Sequence, residues 1–337
     1  MIVGFLRKAN TPGHMAKLLA IMCKHEGIDL VYFTPENVSI ETGKINGKML
    51  IHREWINVET NLPKFIDINP NFLINKKYHG VMKYLKSNTL LSSDKRVPLP
   101  KDELYRFKND PYVSRYLIPT ENIESMENIK SFVDMYEKVV IKPIRSSQGK
   151  NVFILAKEGS KFVLGKNKEE KILSEREFEN FFWKQINSNG YIVQKYITSR
   201  NKQGDPFDCR IHVEKNGKGK WANPRNFIRI GVGQKVISNV NQGGGISNIR
   251  KFLKSNYGHN WEVIYNEIRK LAQILPYKIE EMLKKKYMTF GFDIGIDEKG
   301  DLYIFEVNSF PIVSPMKSEI AMVRSRYYKY VLENNAK

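Results

Sequence analysis

The sequence predicts a protein of the α+β class with a small α/β region at its amino terminus. The opening residues indicate a strand at 2–6, a helix at 12–25 and a strand at 30–33, which together make a βαβ unit. Beyond residue 100 the pattern changes to short strands joined by tight turns, which is typical of antiparallel hairpins. A long amphipathic helix over 261–285 precedes the last hairpin, at 290–308. The chain therefore mixes parallel and antiparallel strands with helices.

The first helix is predicted from apolar residues that recur with helical spacing. The positions i, i+3, i+4 and i+7 are filled by Met15, Leu18, Leu19 and Met22. Residues on one helical face pack together, so we expect these side chains to face the core. No G-x-G-x-x-G motif follows the first strand, so dinucleotide binding is not indicated. Residues 34–100 alternate short apolar runs with turns and end in a Pro-containing segment that we interpret as a linker.

The second part of the chain divides into clear elements. A buried strand is predicted to end at Pro143, and a hairpin is expected over 151–164. A capping box at 174–177 begins a helix with Phe178, Phe181 and Phe182 on one face. Further strands are predicted at 191–197, at 208–214 and from Trp221 onward, and the long helix is expected to kink at Pro276.

Composition excludes several classes of protein. The 337 residues are 41% hydrophobic and 12% aromatic, which is enough apolar material for a packed core and excludes wholesale disorder. No stretch approaches 18 consecutive apolar residues, and the apolar run at 1–6 is too short for a signal peptide. Two cysteines, Cys23 and Cys209, cannot form a disulfide framework or a four-cysteine zinc site. We therefore expect a cytoplasmic protein without a membrane partner.

The net charge of +19 is the one skewed number in the composition. The positive excess is spread along the chain and forms no basic tail. Such a distribution is weak evidence for nucleic acid, which we regard as an unlikely partner. Two interpretations stay open: a genome that favours Lys, Asn and Ile, or an anionic ligand or partner.

The closing hairpin carries the most informative polar residues. If Lys299 and Gly300 form a two-residue turn, the pairing of the strands brings Asp293 opposite Glu306. Asn308 lies two residues further along and therefore shares the face of Glu306. Two carboxylates and a carboxamide in otherwise apolar strands need a cation, and an all-oxygen set suits Mg²⁺. The plain alternative is a pair of surface acids on an edge hairpin.

Two other strands end in polar residues that could contact a nucleotide. Lys142 closes a buried strand and is followed by a short loop with Ser146, Ser147 and Gly149, whose amides could fold over phosphates. The strand at 191–197 is broken by a polar pair, which is compatible with an adenine hinge. Each motif alone has a plainer interpretation, namely a solvated lysine and a half-buried strand.

A further group combines arginines with glycines. Arg210 follows Asp208 on one predicted strand, and Arg229 lies on the next. Asn239 precedes a run of three glycines at 243–245, which allows close backbone approach to a ligand. Two arginines on neighbouring strands beside such a run form a seat for phosphate or carboxylate. A flexible loop with surface arginines is the alternative.

Taken in order, these motifs resemble the ATP-grasp superfamily over roughly residues 100–320, and in detail its YheC/YheD endospore coat-associated branch. The pattern is also close to that of ligases that add glutamate to ribosomal protein. The resemblance implies an ATP-grasp fold, in which two α+β subdomains hold ATP between them. It implies an amino-terminal domain at 1–100 and an ATP-grasp domain at 101–337, with a mobile lid at about 120–196.

The resemblance also implies roles for individual residues. The nucleotide-binding residues would be Lys108, Lys142, Ser146, Ser147, Gly149, Gln194, Lys195, Tyr196, Ile197 and Asp208. Mg²⁺ would be held by Asp293, Glu306 and Asn308, and the catalytic residues would be Arg210, Arg229 and Asn239. The sequence departs from many relatives at Gln194, where they carry Glu.

The function implied by the resemblance is that of an ATP-dependent carboxylate–amine ligase working through an acyl phosphate. Its cofactors would be ATP and Mg²⁺, and its substrates would be an amino acid or peptide, acidic ones included, together with an amine. Three alternatives stay open: a phosphotransferase of the same fold, a non-catalytic spore-coat or scaffold protein, and a nucleic-acid-binding protein. The sequence leaves the oligomeric state unassigned, and a spore association follows from the resemblance alone.

Overall fold

The computed structural model describes residues 1–93, 103–144, 151–166, 169–187, 190–231 and 244–334. In these ranges the chain forms three β-sheets, which follow one another along the sequence. Each sheet has an apolar face that packs on helices of its own segment. The mixture of parallel and antiparallel strands with helices confirms the α+β prediction.

Sheet one is built from the amino-terminal residues. Its strands are β1 (Ile2–Leu6), β2 (Asp29–Phe33), β3 (Val38–Ser39), β4 (Lys44–Ile51), β5 (Glu54–Asn61), β6 (Phe65–Ile68) and β7 (Leu90–Leu91). Strands β2, β1, β6 and β7 are parallel in that order, and the antiparallel ribbon β4–β5 extends the sheet beyond β2. Two helices accompany it, α1 (His14–His25) and α2 (His79–Asn88). The predicted βαβ opening is therefore confirmed.

The face of α1 that is buried in the core is shifted by one position along the sequence from the predicted face. The buried residues are Ala16, Leu19, Ala20 and Cys23, whereas Met15, Leu18 and Met22 are only partly buried at its margin. The small side chains let α1 lie close to its neighbours, so the longer apolar residues flank the contact and do not fill it. Of the predicted face, only Leu19 is fully covered.

Sheet two is entirely antiparallel. Its strands are β8 (Thr120–Asn122), β9 (Lys138–Pro143), β10 (Phe153–Glu158), β11 (Lys161–Lys166), β12 (Glu169–Leu173) and β13 (Tyr191–Lys195). Helices α3 (Met126–Tyr136) and α4 (Glu175–Phe181) cover one face. The predicted capping box is confirmed, because Ser174 and Glu177 bond each other's backbone amides. Phe178 and Phe182 are buried and Phe181 packs beside them, as their spacing predicts.

Sheet three contains the carboxyl-terminal strands. They are β14 (Phe207–Lys215), β15 (Trp221–Ile230), β16 (Gly245–Asn248), β17 (Thr289–Ile296) and β18 (Leu302–Asn308), in the order β16-β15-β14-β17-β18. The same part of the chain contains three helices: α5 (Ile249–Tyr257) and α6 (Trp261–Leu283), which lie between β16 and β17, and α7 (Lys317–Asn334), which follows β18. Helix α6 contains Pro276 and packs on the apolar face of the sheet. Within the described residues no helix is long and apolar enough to cross a membrane.

Helix α7 joins sheet one to sheet three through the buried guanidinium of Arg324. Its Nη2 lies 2.5 Å from Glu214 Oε1 on β14, and its Nη1 lies 3.6 Å from Asp67 Oδ2 on β6. The Tyr328 hydroxyl and Arg7 also bond Asp67. Each buried carboxylate is therefore neutralised by a cation from another segment, which fixes the relation between the two sheets.

Replacing Arg324 with alanine should strongly destabilise the fold. Two carboxylates that are 0% exposed would lose their shared cation, and breaking a buried pair in this way costs about 3–5 kcal/mol. The matched control is Arg326→Ala on the same helix, whose side chain is 54% exposed and pairs with Glu26. The control should lose less than about 1 kcal/mol. Urea unfolding followed by circular dichroism measures both, and equal losses would contradict the prediction.

Candidate functional site

One face of sheet three carries polar side chains, and those on its central strand are buried. All nine residues of the central strand β14 are buried, and from Phe207 to Glu214 they alternate strictly between apolar and polar types. Cys209, Ile211 and Val213 point into the core beside α6. The polar side chains at 208, 210, 212 and 214 share the opposite face, because successive residues of a strand alternate. Buried polar groups require partners, and the neighbouring strands supply them.

The first cluster on this face joins two aspartates to two arginines. Arg210 Nε lies 2.5 Å from Asp293 Oδ1, and its Nη2 lies 3.2 Å from Oδ2. Arg229 bonds Asp208 in a bidentate manner at 2.7 and 2.8 Å, and its Nη2 also lies 2.9 Å from Asp293 Oδ2. Asp293 therefore sits between two guanidinium groups, and both of its oxygens are engaged.

Burial and charge act in opposite directions on the ionisable groups of this cluster. Burial raises the pKa of Asp293, but Arg210 and Arg229 outweigh it and hold that pKa below its usual value. Burial likewise lowers the pKa of Arg229, whereas Asp208 and Asp293 raise it more. Asp293 is therefore ionised and Arg229 charged at neutral pH.

Gly291 makes room for this arrangement. It lies two residues before Asp293 on β17 and pairs with His212 on β14. A Cβ atom at this position would lie 2.7 Å from Pro311 Cβ and 3.1 Å from Arg210 Nη1. The absence of a side chain thus lets the Arg210 guanidinium pass beneath Pro311 and reach Asp293.

The predicted pairing of Asp293 with Glu306 is confirmed, but the turn that was to produce it is wrong. In place of a two-residue turn, the loop spans residues 297–301. In it the Asp297 side chain accepts hydrogen bonds from the backbone amides of Lys299 and Asp301. The ladder from Ile296↔Leu302 to Ile294↔Ile304 is offset by one residue from the prediction. A bulge at Phe305 then restores the register, so Asp293 faces Glu306 and Gly291 faces Asn308.

The predicted metal ligands form a compatible but incomplete oxygen set. Asn308 Nδ2 lies 3.5 Å from Asp293 Oδ2, and Glu306 stands opposite Asp293 across the strands. Among the described residues no group of three or more His, Cys, Asp and Glu side chains could hold a metal. Two carboxylates and one amide oxygen nevertheless fit Mg²⁺, which keeps several waters and accepts phosphate oxygens as further ligands.

Lys142 connects sheet two to this cluster. It lies at the end of β9, is 8% exposed, and its Nζ donates to the Phe305 carbonyl at 3.5 Å. That carbonyl belongs to the bulge next to Glu306. The ammonium group of Lys142 is therefore held in the cleft between sheets two and three, beside the predicted metal ligands.

The predicted adenine hinge follows β13 and is partly occupied by protein contacts. The Gln194 side chain is buried and donates to Thr120 Oγ1 at 2.7 Å. The amides of Lys195 and Tyr196 donate to the carbonyls of Pro119 and Lys138, both at 3.0 Å. Gln194, Lys195 and Tyr196 thus secure sheet two.

One backbone group of the hinge remains available. The amide of Ile197 makes no backbone hydrogen bond among the residues that the structure describes. Of the four hinge amides, it is therefore the best placed to bond a ligand.

Of the remaining predicted residues only Lys108 lies in the described ranges, and it is not part of the cluster. Lys108 is exposed on a 3₁₀ turn whose Leu104 and Phe107 pack into the core beside α6, and no ion pair to Lys108 exists in the described ranges. Ser146, Ser147, Gly149 and Asn239 lie outside the described residues.

Sequence reasoning missed a second polar cluster on the same face. His212 is 0% exposed and its Nε2 lies 2.8 Å from Glu214 Oε1, which also accepts the Thr289 hydroxyl at 2.8 Å. Glu214 in turn pairs with Arg324 of α7. The strict alternation of polar residues along a strand flanked by apolar ones was the available signal.

Comparison with known proteins identifies the relatives of this chain. Residues 98–334 match the family described as YheC/D like ATP-grasp. The endospore coat-associated protein YheC of Bacillus subtilis (strain 168) is 23% identical over 298 residues, which cover 85% of this chain and 81% of YheC.

Two solved structures show the same fold at lower identity. D-alanyl-alanine synthetase A of Vibrio cholerae O1 biovar eltor is 9% identical, with a TM-score of 0.55 and coverage of 98% of this chain and 96% of its own. A ligase of Chryseobacterium gregarium, solved with ADP and a leader and core peptide, is 11% identical, with a TM-score of 0.51 and coverage of 100% and 97%.

His212 should make the stability of the fold depend on pH. Burial lowers the pKa of His212, and the bond to Glu214 offsets this only in part, so the folded protein keeps the ring neutral. The unfolded chain binds a proton near pH 6.5, so the free energy of unfolding should fall as the pH drops below that value. The maximum slope is about 1.4 kcal/mol per pH unit.

The variant His212→Gln isolates this effect. Urea unfolding of the wild type and the variant at several values between pH 7.5 and 5 gives the difference in stability between them. The wild type should lose stability more steeply than the variant below about pH 6.5. Parallel pH profiles would show that the ring is protonated in the folded protein as well.

Proposed function

The chain belongs to the YheC/D-like ATP-grasp family and has the ATP-grasp fold, and from this premise we propose that it is an ATP-dependent ligase that joins a carboxylate to an amine. The family membership predicted from the sequence is confirmed. The proposed activity is supported by solved relatives of the same fold, which include a synthetase and a peptide ligase with bound ADP.

The observation that carries the proposal is the charge distribution at the junction of sheets two and three. The cleft there contains two arginines and one buried lysine, Lys142. It also contains two carboxylates and the amide group of Asn308, whose oxygens could bind a metal. Cations and carboxylates in one place suit a ligand that brings both a metal and several phosphate oxygens. A nucleoside triphosphate with Mg²⁺ has that composition.

The proposed roles of the residues follow from their positions. Asp293, Glu306 and Asn308 would hold Mg²⁺, which when bound offsets charge on the phosphates during transfer. Lys142 would hold phosphate oxygens from the side of sheet two, and the Ile197 amide would bond the base.

Asp208 would act as a positioning residue and not as a nucleotide contact, because both of its carboxylate oxygens accept hydrogen bonds from Arg229. It orients that guanidinium toward Asp293.

Chemically, a substrate carboxylate oxygen would attack the γ-phosphorus as the bond to ADP breaks. An amine nitrogen would then attack the acyl carbon, the bond from that carbon to the phosphate oxygen would break, and phosphate would leave together with the proton that the amine loses. Both steps develop negative charge, which would lie beside Arg210 and Arg229, and these side chains can stabilise it without rearrangement because their partners already orient them. The substrate would be an amino acid or a peptide, acidic ones included, and the enzyme would act in the cytoplasm of a spore-forming cell.

The first test is calorimetric titration of AMPPNP with Mg²⁺ into the wild type, Glu306→Gln and the control Glu298→Gln. Glu298 is an exposed acid in the loop of the same hairpin. The wild type and the control should bind equally, and Glu306→Gln should bind at least about tenfold more weakly, or 1.4 kcal/mol. Absence of binding to the wild type would favour the alternative of a non-catalytic spore-coat protein, and the relative YheC is named as endospore coat-associated.

The arginine pair should also prevent a free divalent cation from binding. Because both oxygens of Asp293 contact guanidinium groups, a lone cation would enter a site that already carries their charge. A cation that arrives with phosphates brings compensating charge. We expect Mn²⁺ alone to bind weakly and Mn²⁺ with AMPPNP to bind at least about tenfold more tightly, as measured by the electron paramagnetic resonance signal of free Mn²⁺.

A matched pair of double variants tests the cause. Asp208→Asn with Arg229→Gln removes an ion pair as a unit and frees one side of Asp293, so Mn²⁺ alone should bind more tightly. Arg225→Gln with Glu319→Gln removes an exposed pair that starts from the same strand and should change nothing. Equal affinity of the wild type for Mn²⁺ with and without AMPPNP would contradict the expectation.

A further inference from the structure

A groove on sheet one is not used by the proposed ligase site. It has a volume of about 600 Å³ and lies at the carboxyl ends of β1 and β2, where the ribbon β4–β5 passes beside them. All of its lining residues precede residue 80. Ligands of sheets with parallel strands bind at the carboxyl ends of those strands, because the loops there leave a crevice.

The floor and walls of this amino-terminal groove differ in character. Tyr32, Thr34 and Tyr78 are buried and form the floor. The walls carry three lysines and four asparagines, and no aliphatic side chain lines the groove. A cavity of this size suits a small organic molecule, and its lining favours a hydrophilic one.

The charge in the groove is positive and only partly compensated. Lys77 Nζ lies 2.8 Å from Glu36 Oε1, and the hydrogen bond from Lys77 is the main reason that the pKa of Glu36 falls to about 2. Lys8 forms no ion pair with any described residue, and Lys48 donates only to the Asn10 carbonyl, at 3.4 Å. Two lysine charges therefore remain for an anionic ligand.

Strand pairing fixes the backbone of one wall of the groove before any ligand arrives. Tyr32 pairs with Lys48 across β2 and β4, and Lys48 pairs with Asn57 across β4 and β5. Asn46 lies two residues before Lys48, so its side chain shares that face. Among the described residues, the side-chain amides of Asn46 and Asn57 have no hydrogen-bond partner.

We propose that the amino-terminal groove binds a small organic anion whose body carries several hydroxyl groups, of the sugar phosphate or sugar acid class. The two lysines would bond the anionic group, and the asparagine amides, which donate and accept, would bond neighbouring hydroxyls. The tyrosine floor supplies a flat surface for the ring or chain. Binding here does not depend on the ligase proposal, because no residue is shared.

The test is calorimetric titration with glucose 6-phosphate and with gluconate, which distinguish a phosphate from a carboxylate. Glucose and inorganic phosphate are the reference ligands. At least one of the two sugar anions should bind with one-to-one stoichiometry and at least tenfold more tightly than either reference. A titration repeated with saturating AMPPNP and Mg²⁺ should give the same affinity.

Variants locate the binding. Lys8→Gln with Lys48→Gln should weaken binding at least tenfold, and Asn57→Leu should reduce the preference for the sugar anion over inorganic phosphate. Lys64→Gln removes an exposed charge from the same sheet outside the groove and should have no effect. Thermal melting checks that each variant is folded.

Four results would overturn the proposal. They are failure of both sugar anions to bind, equal binding of inorganic phosphate, competition by AMPPNP, and a loss in Lys64→Gln equal to that in the groove variants.

Discussion

The arrangement of the molecule depends on a guanidinium group that is completely buried between two segments distant in sequence. Arg324 comes from the last helix and neutralises Glu214 in sheet three and Asp67 in sheet one. Removing such charges from water is costly, and only close pairing offsets the cost. The two sheets therefore cannot move apart without exposing or orphaning a charge. This constraint gives sheet one and sheet three a fixed relation without a disulfide.

The same physical rule explains why the candidate site is ordered without a ligand. Asp208 and Asp293 are each bonded to arginines, so four charged side chains sum to zero inside a covered face. Side chains fixed in this way need little reorganisation when an anion arrives. Sheet three thus carries two neighbouring charge clusters on one strand. One couples sheet three to sheet one, and the other lies where Lys142 approaches from sheet two.

The sequence predicted the elements better than the contacts among them. Alternation and capping signals located β14, β17 and the helix after Ser174, because such patterns depend on neighbours along the chain. The pairing of Asp293 with Glu306 was also found, although through a turn that the chain does not use. Contacts between distant segments have no comparable signal in the sequence. Neither the ion pair of Arg324 with Glu214 nor the hydrogen bond of Gln194 with Thr120 could be predicted from the spacing of residues. The burial of small residues on α1 likewise depends on how closely its neighbours approach.

The bulge at Phe305 has a consequence for how this hairpin can evolve. The bulge leaves one residue of β18 unpaired between the loop at 297–301 and the pair Asp293–Glu306. The strands are therefore paired in one register near the loop and in another near the carboxylates. A tip shortened by one residue would give the inner pairing without any bulge. Insertions and deletions at the tip can therefore be accommodated by gaining or losing the bulge. The spacing of the two carboxylates is insulated from changes in loop length, and a relative with a different tip can keep the same inner geometry.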